Sequence, residues 1–296
     1  MELSRARALA LIASAPLAVS CGGGGGDSLK VGSKNFTEEL ILGELYAQAL
    51  EHAGTGVTRK LNLGTTDIAM AALKRSEIDL YPEYTGTALL NVLHLPPDSD
   101  AKHAYGTVKS AYAKQFGLVL LAPAPFNDTQ AMATTQAVAG RVGLGRLSDL
   151  ALHANELRLG AVPEFLTRAD GLPGLQKRYG GFKFKQTKVI DNGLKYQALE
   201  RGDVDVVIAF STEGQLKSEN LVVLEDDKHL FPSYAVAPVV RKAALDAKPS
   251  LAPALDKLAP LLTNDVMQNL NLQVEGSQKR EPADVARDFL KQNGLA

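Results

Sequence analysis

The chain has 296 residues, of which 45% are hydrophobic and 22% are charged, a composition typical of a soluble globular protein with room for two domains. Its 32 basic and 33 acidic residues leave a formal net charge of −1, so no overall positive field favours a nucleic-acid partner. Tryptophan is absent and only eight tyrosines are present. A tyrosine beside a loop is therefore an informative residue in this chain.

The first twenty residues have the pattern of an export signal. Arg5 and Arg7 provide a positive start, residues 8–18 form a short apolar stretch, and small residues precede Cys21, the only cysteine, as in a secretory signal peptide. A small residue before a lone cysteine, followed by five glycines, resembles a bacterial lipoprotein cleavage box, although Ala18 stands where that box usually has leucine. The alternative is an ordinary signal peptide with an incidental cysteine.

We therefore predict a signal peptide over residues 1–20 and a glycine-rich tether over residues 21–27, with a lipid attached to Cys21. A tether of this composition is flexible, and it would hold the protein at the membrane outside the cytoplasm, in the periplasm or cell envelope. The rest of the sequence contains no stretch of eighteen apolar residues, so it predicts no membrane span.

The first ninety residues alternate between strand and helix patterns, which predicts a parallel sheet with right-handed crossovers. The expected strands and helices, in order, are residues 29–32, 37–53, 57–63, 68–76 and 78–81. Asn35 is the expected cap of the first helix, with Glu38 as its partner in a capping box. Pro82 lacks an N–H group, so we expect the chain to turn there.

Polar and aromatic residues surround this expected turn: Tyr81, Tyr84, Thr85 and Thr87 follow or end a predicted strand. Ligands of open α/β sheets bind at the carboxyl ends of the strands, and Gly86 permits a close approach of the backbone to a ligand. The segment therefore predicts one wall of a ligand site. The alternative is that both tyrosines are half-buried packing residues.

The second half of the chain begins with an apolar segment, residues 118–126, which Pro123 and Pro125 interrupt. This composition suits a segment that leaves one domain for another, because proline is excluded from the interior of a sheet. A second series of alternating strands and helices follows. Residues 234–240 are then expected to form a strand that returns to the first domain, ahead of three helices near the C-terminus.

This order predicts two α/β lobes joined by two crossing segments. Lobe I is expected over residues 28–127 plus 234–296, and lobe II over residues 128–233. An exported protein with two such lobes is typical of a venus-flytrap binding protein, in which the lobes close on a ligand held in the cleft between them.

No pattern in the sequence predicts catalysis. The five histidines have none of the spacings of a metal site, and the nucleophile-elbow motif Gly-x-Ser-x-Gly is absent. Segment 143–146 lacks the third glycine of a dinucleotide-binding loop. We therefore expect no metal, no cofactor and no enzymatic activity.

Six segments follow one another in an order that is specific for one family. Segment 32–38 reads Gly-Ser-Lys-Asn-Phe-Thr-Glu, segment 64–67 reads Gly-Thr-Thr-Asp, and segment 79–87 reads Asp-Leu-Tyr-Pro-Glu-Tyr-Thr-Gly-Thr. The further matching segments are residues 164–175, 210–214 and 224–234. From residue 29 to its C-terminus the chain resembles the osmoprotectant-binding proteins of ABC transporters, the receptors for glycine betaine, choline and carnitine.

The resemblance implies a type II periplasmic-binding-protein (venus flytrap) fold. It also implies a monomeric receptor that delivers a small zwitterionic or quaternary-ammonium solute to a membrane permease, which a separate ATPase energises. Such a receptor needs two kinds of contact. A trimethylammonium group donates no hydrogen bonds, so aromatic faces hold it through cation–π attraction, whereas a carboxylate requires lysine, arginine or hydroxyl donors.

Matched to the motifs of the family, eight residues of this chain are expected to bind the ligand. Those expected at its anionic end are Lys34, Thr87 and Arg168. Those expected to face its cation are Tyr84, Phe210 and Tyr234, with Asp128 and Gln130 at the edge of the cation.

Two of these positions depart from the family pattern. Gln130 stands where the family usually has a tyrosine in the first crossing segment, and Phe210 replaces a tyrosine before the motif Ser-Thr-Asp-Gly. Loss of one aromatic face, about 0.5–2 kcal/mol, would weaken quaternary-ammonium binding about two- to thirty-fold. We therefore expect weaker betaine binding, or a ligand that combines a cation with additional polar atoms. A receptor for another amino-acid-like solute, a ligand-sensing regulator and an enzyme on this fold remain alternatives.

Overall fold

The computed structural model describes residues 28–217 and 221–296. The predicted signal peptide, the tether and Cys21 therefore lie outside the described residues. Within these two ranges, none of the helices has the length and apolar character needed to cross a bilayer.

Ten strands form two five-stranded sheets in the described part of the chain. The strands of the first sheet are β1 (Leu29–Gly32), β2 (Val57–Lys60), β3 (Leu80–Tyr84), β4 (Leu118–Leu120) and β10 (Val236–Arg241). The strands of the second sheet are β5 (Gln130–Thr135), β6 (Arg158–Ala161), β7 (Gln186–Val189), β8 (Val206–Phe210) and β9 (Leu221–Leu224).

The two sheets share one topology. Their strand orders are β2-β1-β3-β10-β4 and β7-β6-β8-β5-β9. In the first sheet β1 runs parallel to β2 and β3, whereas β10 runs antiparallel to β3 and β4. In the second sheet β6 runs parallel to β7 and β8, whereas β5 runs antiparallel to β8 and β9. The fourth strand of each sheet thus arrives from the other half of the molecule, and the predicted fold of two α/β lobes is confirmed.

Twelve α-helices accompany the sheets within the described ranges. They are α1 (Thr37–His52), α2 (Thr66–Lys74), α3 (Thr85–Thr87), α4 (Ala101–Phe116), α5 (Gln136–Val142), α6 (Leu147–His153), α7 (Leu172–Tyr179), α8 (Lys195–Glu200), α9 (Lys242–Ala247), α10 (Leu251–Leu258), α11 (Asn264–Glu275) and α12 (Pro282–Gln292).

Helix α1 is the centre of the first core. It packs against the first sheet on one side and against α10, α11 and α12 on the other. Ile41, Leu42 and Leu45 are fully buried, and replacing such a leucine by alanine costs about 2–5 kcal/mol. The expected cap at Asn35 is wrong, because the helix begins at Thr37 with Phe36 as its cap and without a side-chain cap. Glu38 is consequently free to face the interior.

The turn expected at Pro82 is also wrong. Pro82 lies in the middle of β3, directly opposite Pro238 of β10. A strand neighbour would need the N–H group that proline lacks, but β1 pairs with β3 only at the level of Leu80 and ends before it reaches Pro82. The strand therefore continues to Tyr84, and the chain changes direction only there, into α3.

The two crossing segments are tied together by two asparagines. Asn127 and Ala235 form an antiparallel bridge, and Asn127 Oδ1 accepts a hydrogen bond from the Tyr234 N–H at 2.6 Å. Asn264, the first residue of α11, donates to the Asn127 carbonyl at 3.0 Å and accepts from its N–H at 3.1 Å. The start of α11 thus holds the point where the chain passes between the sheets.

Candidate functional site

Tyr84 lies at the end of β3 between two charged groups. Its ring is buried, its hydroxyl donates to Glu38 Oε1 at 2.7 Å, and the Lys34 ammonium lies 4.5 Å from the centre of its ring. Phe36 packs beside it, with 6.0 Å between the ring centres. The aromatic face predicted to meet a ligand cation is therefore oriented by Glu38 and already contacts one cation of the protein.

Lys34 is held inside the protein by two carboxylates. Its Nζ lies 3.2 Å from Glu83 and 3.4 Å from Glu39. Burial alone would lower the pKa of Lys34, but Glu83 and Glu39 outweigh it and raise this pKa above its ordinary value. One ammonium cannot neutralise two buried carboxylates, and burial raises the pKa of Glu39 to about 8 against the opposing charge of Lys34. The role of Lys34 toward a ligand anion stays a prediction.

Helix α3, which contains Thr87, lies against Tyr234. Thr87 is buried within α3, and the Thr85 hydroxyl donates to the Ser233 carbonyl at 3.2 Å. A Cβ atom on Gly86 would lie 2.7 Å from two carbons of the Tyr234 ring and 2.8 Å from the Ser233 carbonyl oxygen. Only glycine therefore allows the Tyr234 ring to lie against the start of this helix.

Asp170 accepts hydrogen bonds from three of the predicted site residues. Arg168 donates to its two oxygens at 2.8 and 2.7 Å, and the Gln130 amide donates to it at 2.6 Å. The Tyr234 hydroxyl also donates to Asp170, and Gln130 donates to that hydroxyl at 3.0 Å. The sequence reasoning missed Asp170, although it lies in the matching segment 164–175, two residues after the arginine.

The ammonium group of a lysine lies over the ring of Phe210. The Lys195 ammonium, on α8, lies 4.9 Å from the ring centre of Phe210 and 5.2 Å from that of Tyr196. Lys195 is 1% exposed, and its Nζ contacts Glu213 Oε1 at 2.5 Å. Nothing in the sequence around residue 195 indicates a site, so only the fold reveals this cation.

Asp128 and Glu38 belong to one hydrogen-bonded network. The Thr212 hydroxyl donates to Asp128 Oδ1 at 2.7 Å, and the Asn271 amide donates both to Glu38 Oε2 at 2.8 Å and to the Thr212 carbonyl at 3.0 Å. Burial raises the pKa of Asp128 well above its ordinary value, and the negative charge of Glu38 adds to the rise. Burial raises the pKa of Glu38 as well, although hydrogen bonds from Thr212, Tyr84 and Asn271 oppose the rise.

The eight predicted residues are connected by contacts across both sheets. Gln130 lies opposite Phe210 in the pairing of β5 with β8, and the Asp128 N–H donates to the Tyr234 carbonyl at 3.3 Å. Arg168 reaches the Tyr234 hydroxyl at 3.3 Å. Tyr234 in turn packs on α3, which follows Tyr84 and contains Thr87, and Lys34 packs on Tyr84. Their contact with a ligand stays a prediction.

Among the described side chains of this site, carboxyl groups outnumber cations. The ion pairs are those of Lys34 with Glu39 and Glu83, of Arg168 with Asp170, and of Lys195 with Glu213. Among the described side chains, Glu38 and Asp128 have no ion-pair partner. The excess of negative charge favours a ligand that brings a cation. In residues 28–217 and 221–296, no group of three or more His, Cys, Asp or Glu side chains is arranged to hold a metal ion.

Comparison with known proteins gives consistent matches. Residues 27–292 match the family model of the substrate binding domain of the ABC-type glycine betaine transport system. The glycine-betaine-binding protein of Pseudomonas aeruginosa is 37% identical over 279 residues, which cover 91% of this chain and 89% of that protein. A crystal structure of a glycine betaine/carnitine/choline ABC transporter protein superposes with a TM-score of 0.76 at 31% identity, covering 90% of this chain and 99% of the other.

A third relative is longer. The ergothioneine transport permease/ergothioneine binding protein EgtU of Helicobacter pylori is 36% identical over 268 residues, which cover 90% of this chain but 48% of that protein. The chain thus spans about half the length of this relative and about nine-tenths of the glycine-betaine-binding protein. The topology of the sheets and the extent of these matches agree: the chain belongs to the family of substrate-binding domains of ABC-type glycine betaine transport systems, with the type II periplasmic-binding-protein fold.

Proposed function

We propose that this chain is a lipid-anchored receptor outside the cytoplasm that binds a quaternary-ammonium solute such as glycine betaine and delivers it to the permease of an ABC importer. The observation that carries the proposal is the contact network described above. In it the Tyr84 hydroxyl donates to Glu38 and the Asp128 N–H donates to the Tyr234 carbonyl, and neither Glu38 nor Asp128 has an ion-pair partner among the described side chains. An aromatic surface next to unpaired negative charge is the environment that a trimethylammonium group requires.

The anionic end of the solute would bind at Arg168. Its Nε and Nη2 groups donate to Asp170, whereas a guanidinium has five N–H donors in a planar fork. The remaining donors, on Nη1, are available to a carboxylate, and the side chain is 22% exposed. Thr87 and Lys34 complete this end in the proposal, with Lys34 reaching the ligand only if it loosens its contact with Glu39.

Calorimetric titration tests the proposal directly. Glycine betaine, choline and carnitine would be titrated into the wild-type protein and into the Tyr84→Leu variant, which removes the aromatic face but keeps an apolar side chain. We expect the variant to lose about threefold to thirtyfold in affinity. Phe116→Leu is the matched control, because Lys74 lies 3.8 Å from the centre of that ring on a different helix. Unchanged binding in Tyr84→Leu, or equal losses in both variants, would contradict the proposed site.

A second candidate ligand is ergothioneine, a betaine whose trimethylammonium group is attached to a sulfur-substituted histidine. Two observations favour it: the identity of 36% with the ergothioneine-binding relative, and the polar amide of Gln130 where the family usually has an aromatic ring. The polar ring of such a solute could bond to Gln130, which already contacts Asp170 and Tyr234. Titration of ergothioneine beside glycine betaine decides between them, and the tighter ligand identifies the solute class.

Anchoring by Cys21 is tested by cell fractionation. In the proposal the wild-type protein sediments with membranes, because a lipid on the Cys21 thiol together with the short tether holds it there. Cys21→Ser should then move the exported protein into the soluble fraction. Sedimentation that persists in Cys21→Ser would contradict the anchor while leaving the binding function untouched. The proposal also includes a monomeric receptor and a separate ATPase, and it assigns the chain no enzymatic activity.

A further inference from the structure

Glu38 and Asp128 lie in different parts of the chain but belong to one hydrogen-bonded network. Glu38 lies in the first turn of α1, and Asp128 lies on the first crossing segment, before β5. The Tyr84 hydroxyl and the Asn271 amide donate to the two oxygens of Glu38 at 2.7 and 2.8 Å, and the Thr212 hydroxyl donates to Asp128 at 2.7 Å. Because Asn271 also donates to the Thr212 carbonyl, one network orients both carboxyl groups.

The side chain of Asn271 adds an independent observation. It is 3% exposed, and its Oδ1 atom is buried without a hydrogen-bond partner in the described structure. A buried acceptor without a donor is unfavourable. The network therefore contains an unpartnered amide oxygen as well as two carboxyl groups, and the partial negative charge of that oxygen adds to the attraction that a positive group would experience there.

The charged groups around the pair do not supply that positive group. The charge of Lys195 acts on Asp128, but Lys195 is in contact with Glu213, whose own charge acts on both carboxyl groups. On the other side of Tyr84, Lys34 is held by Glu39 and Glu83. The remaining titratable neighbours of the pair are the phenols of Tyr84 and Tyr196, which are neutral at physiological pH.

Two buried carboxylates without a cation cannot both stay ionised at short range. Burial raises the pKa of Glu38, and burial together with the charge of Glu38 raises the pKa of Asp128. Raised pKa values mean that the network binds a proton at a pH at which exposed carboxyl groups have lost theirs. Tyr84 belongs to this network through its hydroxyl, and the proposed function places the ligand cation at its ring.

We infer that Glu38 and Asp128 form a proton-linked cation subsite: the pair holds a proton in the unliganded protein, and the trimethylammonium group of the solute replaces it. This inference rests on the proposed function, since it needs a solute that carries a cation. The proton leaves one carboxyl oxygen for the solvent, the pair gains one negative charge, and the bound cation compensates it. Glu38 and Asp128 are thus specificity determinants that favour cationic over neutral solutes.

The release of a proton on binding determines how the ligand affinity changes with pH. A bound cation lowers the pKa of the pair, so binding releases a proton at any pH between the pKa of the pair in the bound protein and its pKa in the free protein. In that range the affinity increases with pH, by up to about tenfold per pH unit when one full proton is released. Above the free-protein pKa the affinity becomes independent of pH.

Calorimetry in two buffers measures the released proton. Glycine betaine would be titrated into the full-length protein at pH 7 in phosphate, which has a small enthalpy of ionisation, and in Tris, which has a large one. The difference between the observed enthalpies gives the number of protons released, and we expect between about one half and one. The same titrations from pH 5.5 to 8.5 should show the affinity rising with pH and then levelling.

Variants assign the proton to the pair. Glu38→Gln and Asp128→Asn should each reduce the released proton to near zero and flatten the pH profile, whereas Glu39→Gln should leave the release in place. Glu39 is the decisive comparison, because it is the other buried carboxyl group near Tyr84 with a raised pKa. Infrared spectra of the free protein at pH 7 provide a second measurement. Glu39 contributes a protonated-carboxyl band of its own at this pH, so the spectra are compared in the Glu39→Gln background, where the remaining band should disappear when Glu38→Gln is added, even if that variant binds weakly.

The outcomes separate the inference from the function on which it rests. Binding of glycine betaine without proton release, or release that disappears only in Glu39→Gln, would overturn the inference and leave the proposed function standing. Absence of the protonated-carboxyl band in the free Glu39→Gln protein would overturn it as well. If none of the quaternary-ammonium solutes binds at any pH, both the inference and the proposed function fall.

Discussion

The substitution Gly86→Ala tests whether α3 positions Tyr234 as the structure shows. The added Cβ would lie 2.7 Å from two ring carbons of Tyr234 and 2.8 Å from the Ser233 carbonyl oxygen. Ordinary contacts begin near 3.4 Å, so the ring would have to move by about 1 Å. Its hydroxyl already contacts Asp170 and leaves no room to slide toward that carboxylate. The ring must therefore tilt out of the site.

The loss of stability follows from the contacts that break when the Tyr234 ring tilts. Gln130 donates to the Tyr234 hydroxyl at 3.0 Å, and a displacement of about 1 Å takes this bond out of hydrogen-bond range. Overpacking costs about 1–3 kcal/mol, and loss of a hydrogen bond to a charged group such as Asp170 costs about 1.5–3 kcal/mol. We expect a total of about 2.5–6 kcal/mol, which at about 2 °C per kcal/mol corresponds to a fall in Tm of roughly 5–12 °C, and at least tenfold weaker ligand binding.

Gly106→Ala is the matched control. Gly106 lies inside α4, and a Cβ atom there would meet no atom within 4 Å. Alanine is favoured over glycine in a helix interior by about 0.5–1 kcal/mol, so the control should melt at the same temperature as the wild type or slightly above it, with unchanged affinity. Thermal unfolding and calorimetric titration of both variants complete the test. A Gly86→Ala protein that melts and binds like the wild type would refute the reasoning.

Three further substitutions test the site. Gln130→Tyr adds the aromatic face that the family usually has, so the affinity for glycine betaine should rise about two- to thirty-fold in titrations; unchanged affinity would contradict the incomplete cage. Arg168→Lys replaces a planar fork by a point charge and should weaken glycine betaine about tenfold or more while choline, which lacks a carboxylate, loses little; equal losses would place the carboxylate elsewhere. Glu39 binds a proton in the folded protein between its ordinary pKa of 4.5 and about 8, so it lowers the free energy of unfolding by about 1.4 kcal/mol per pH unit as pH rises through that range. Glu39→Gln should reduce the slope of the pH-dependent unfolding curves by this amount, with the contributions of Glu38 and Asp128 remaining, and a slope equal to that of the wild type would show that Glu39 is ionised.

The local pattern of the sequence predicted most of the elements correctly. Hydrophobic periodicity placed α1 within one residue of its observed bounds, and the return of β10 to the first sheet is confirmed. The turn expected at Pro82 was wrong. Whether a proline is tolerated in a strand depends on where the neighbouring strand ends, and that depends on the register of β1 with β3.

The same distinction between local pattern and tertiary structure applies to the ligand site. Motif order in the sequence determined the family, the two-lobed fold and the eight expected ligand residues. Each motif consists of consecutive residues, so it can be recognised without knowing the fold. Only the tertiary structure decided what these residues contact. It brought Gln130 and Tyr234 to Asp170, Lys195 to Phe210, and Asn271 to Glu38.

These last contacts join residues that are far apart along the chain, such as Glu38 on the first helix and Asn271 on the eleventh. No local pattern encodes them, because they depend on how α11 packs against α1 and against the turn after β8. The charge balance of the site arises from this packing alone. The sequence by itself therefore determined that the chain is a solute receptor of this family, whereas the assembled fold decided that two of its buried carboxyl groups have no ion-pair partner among the described side chains.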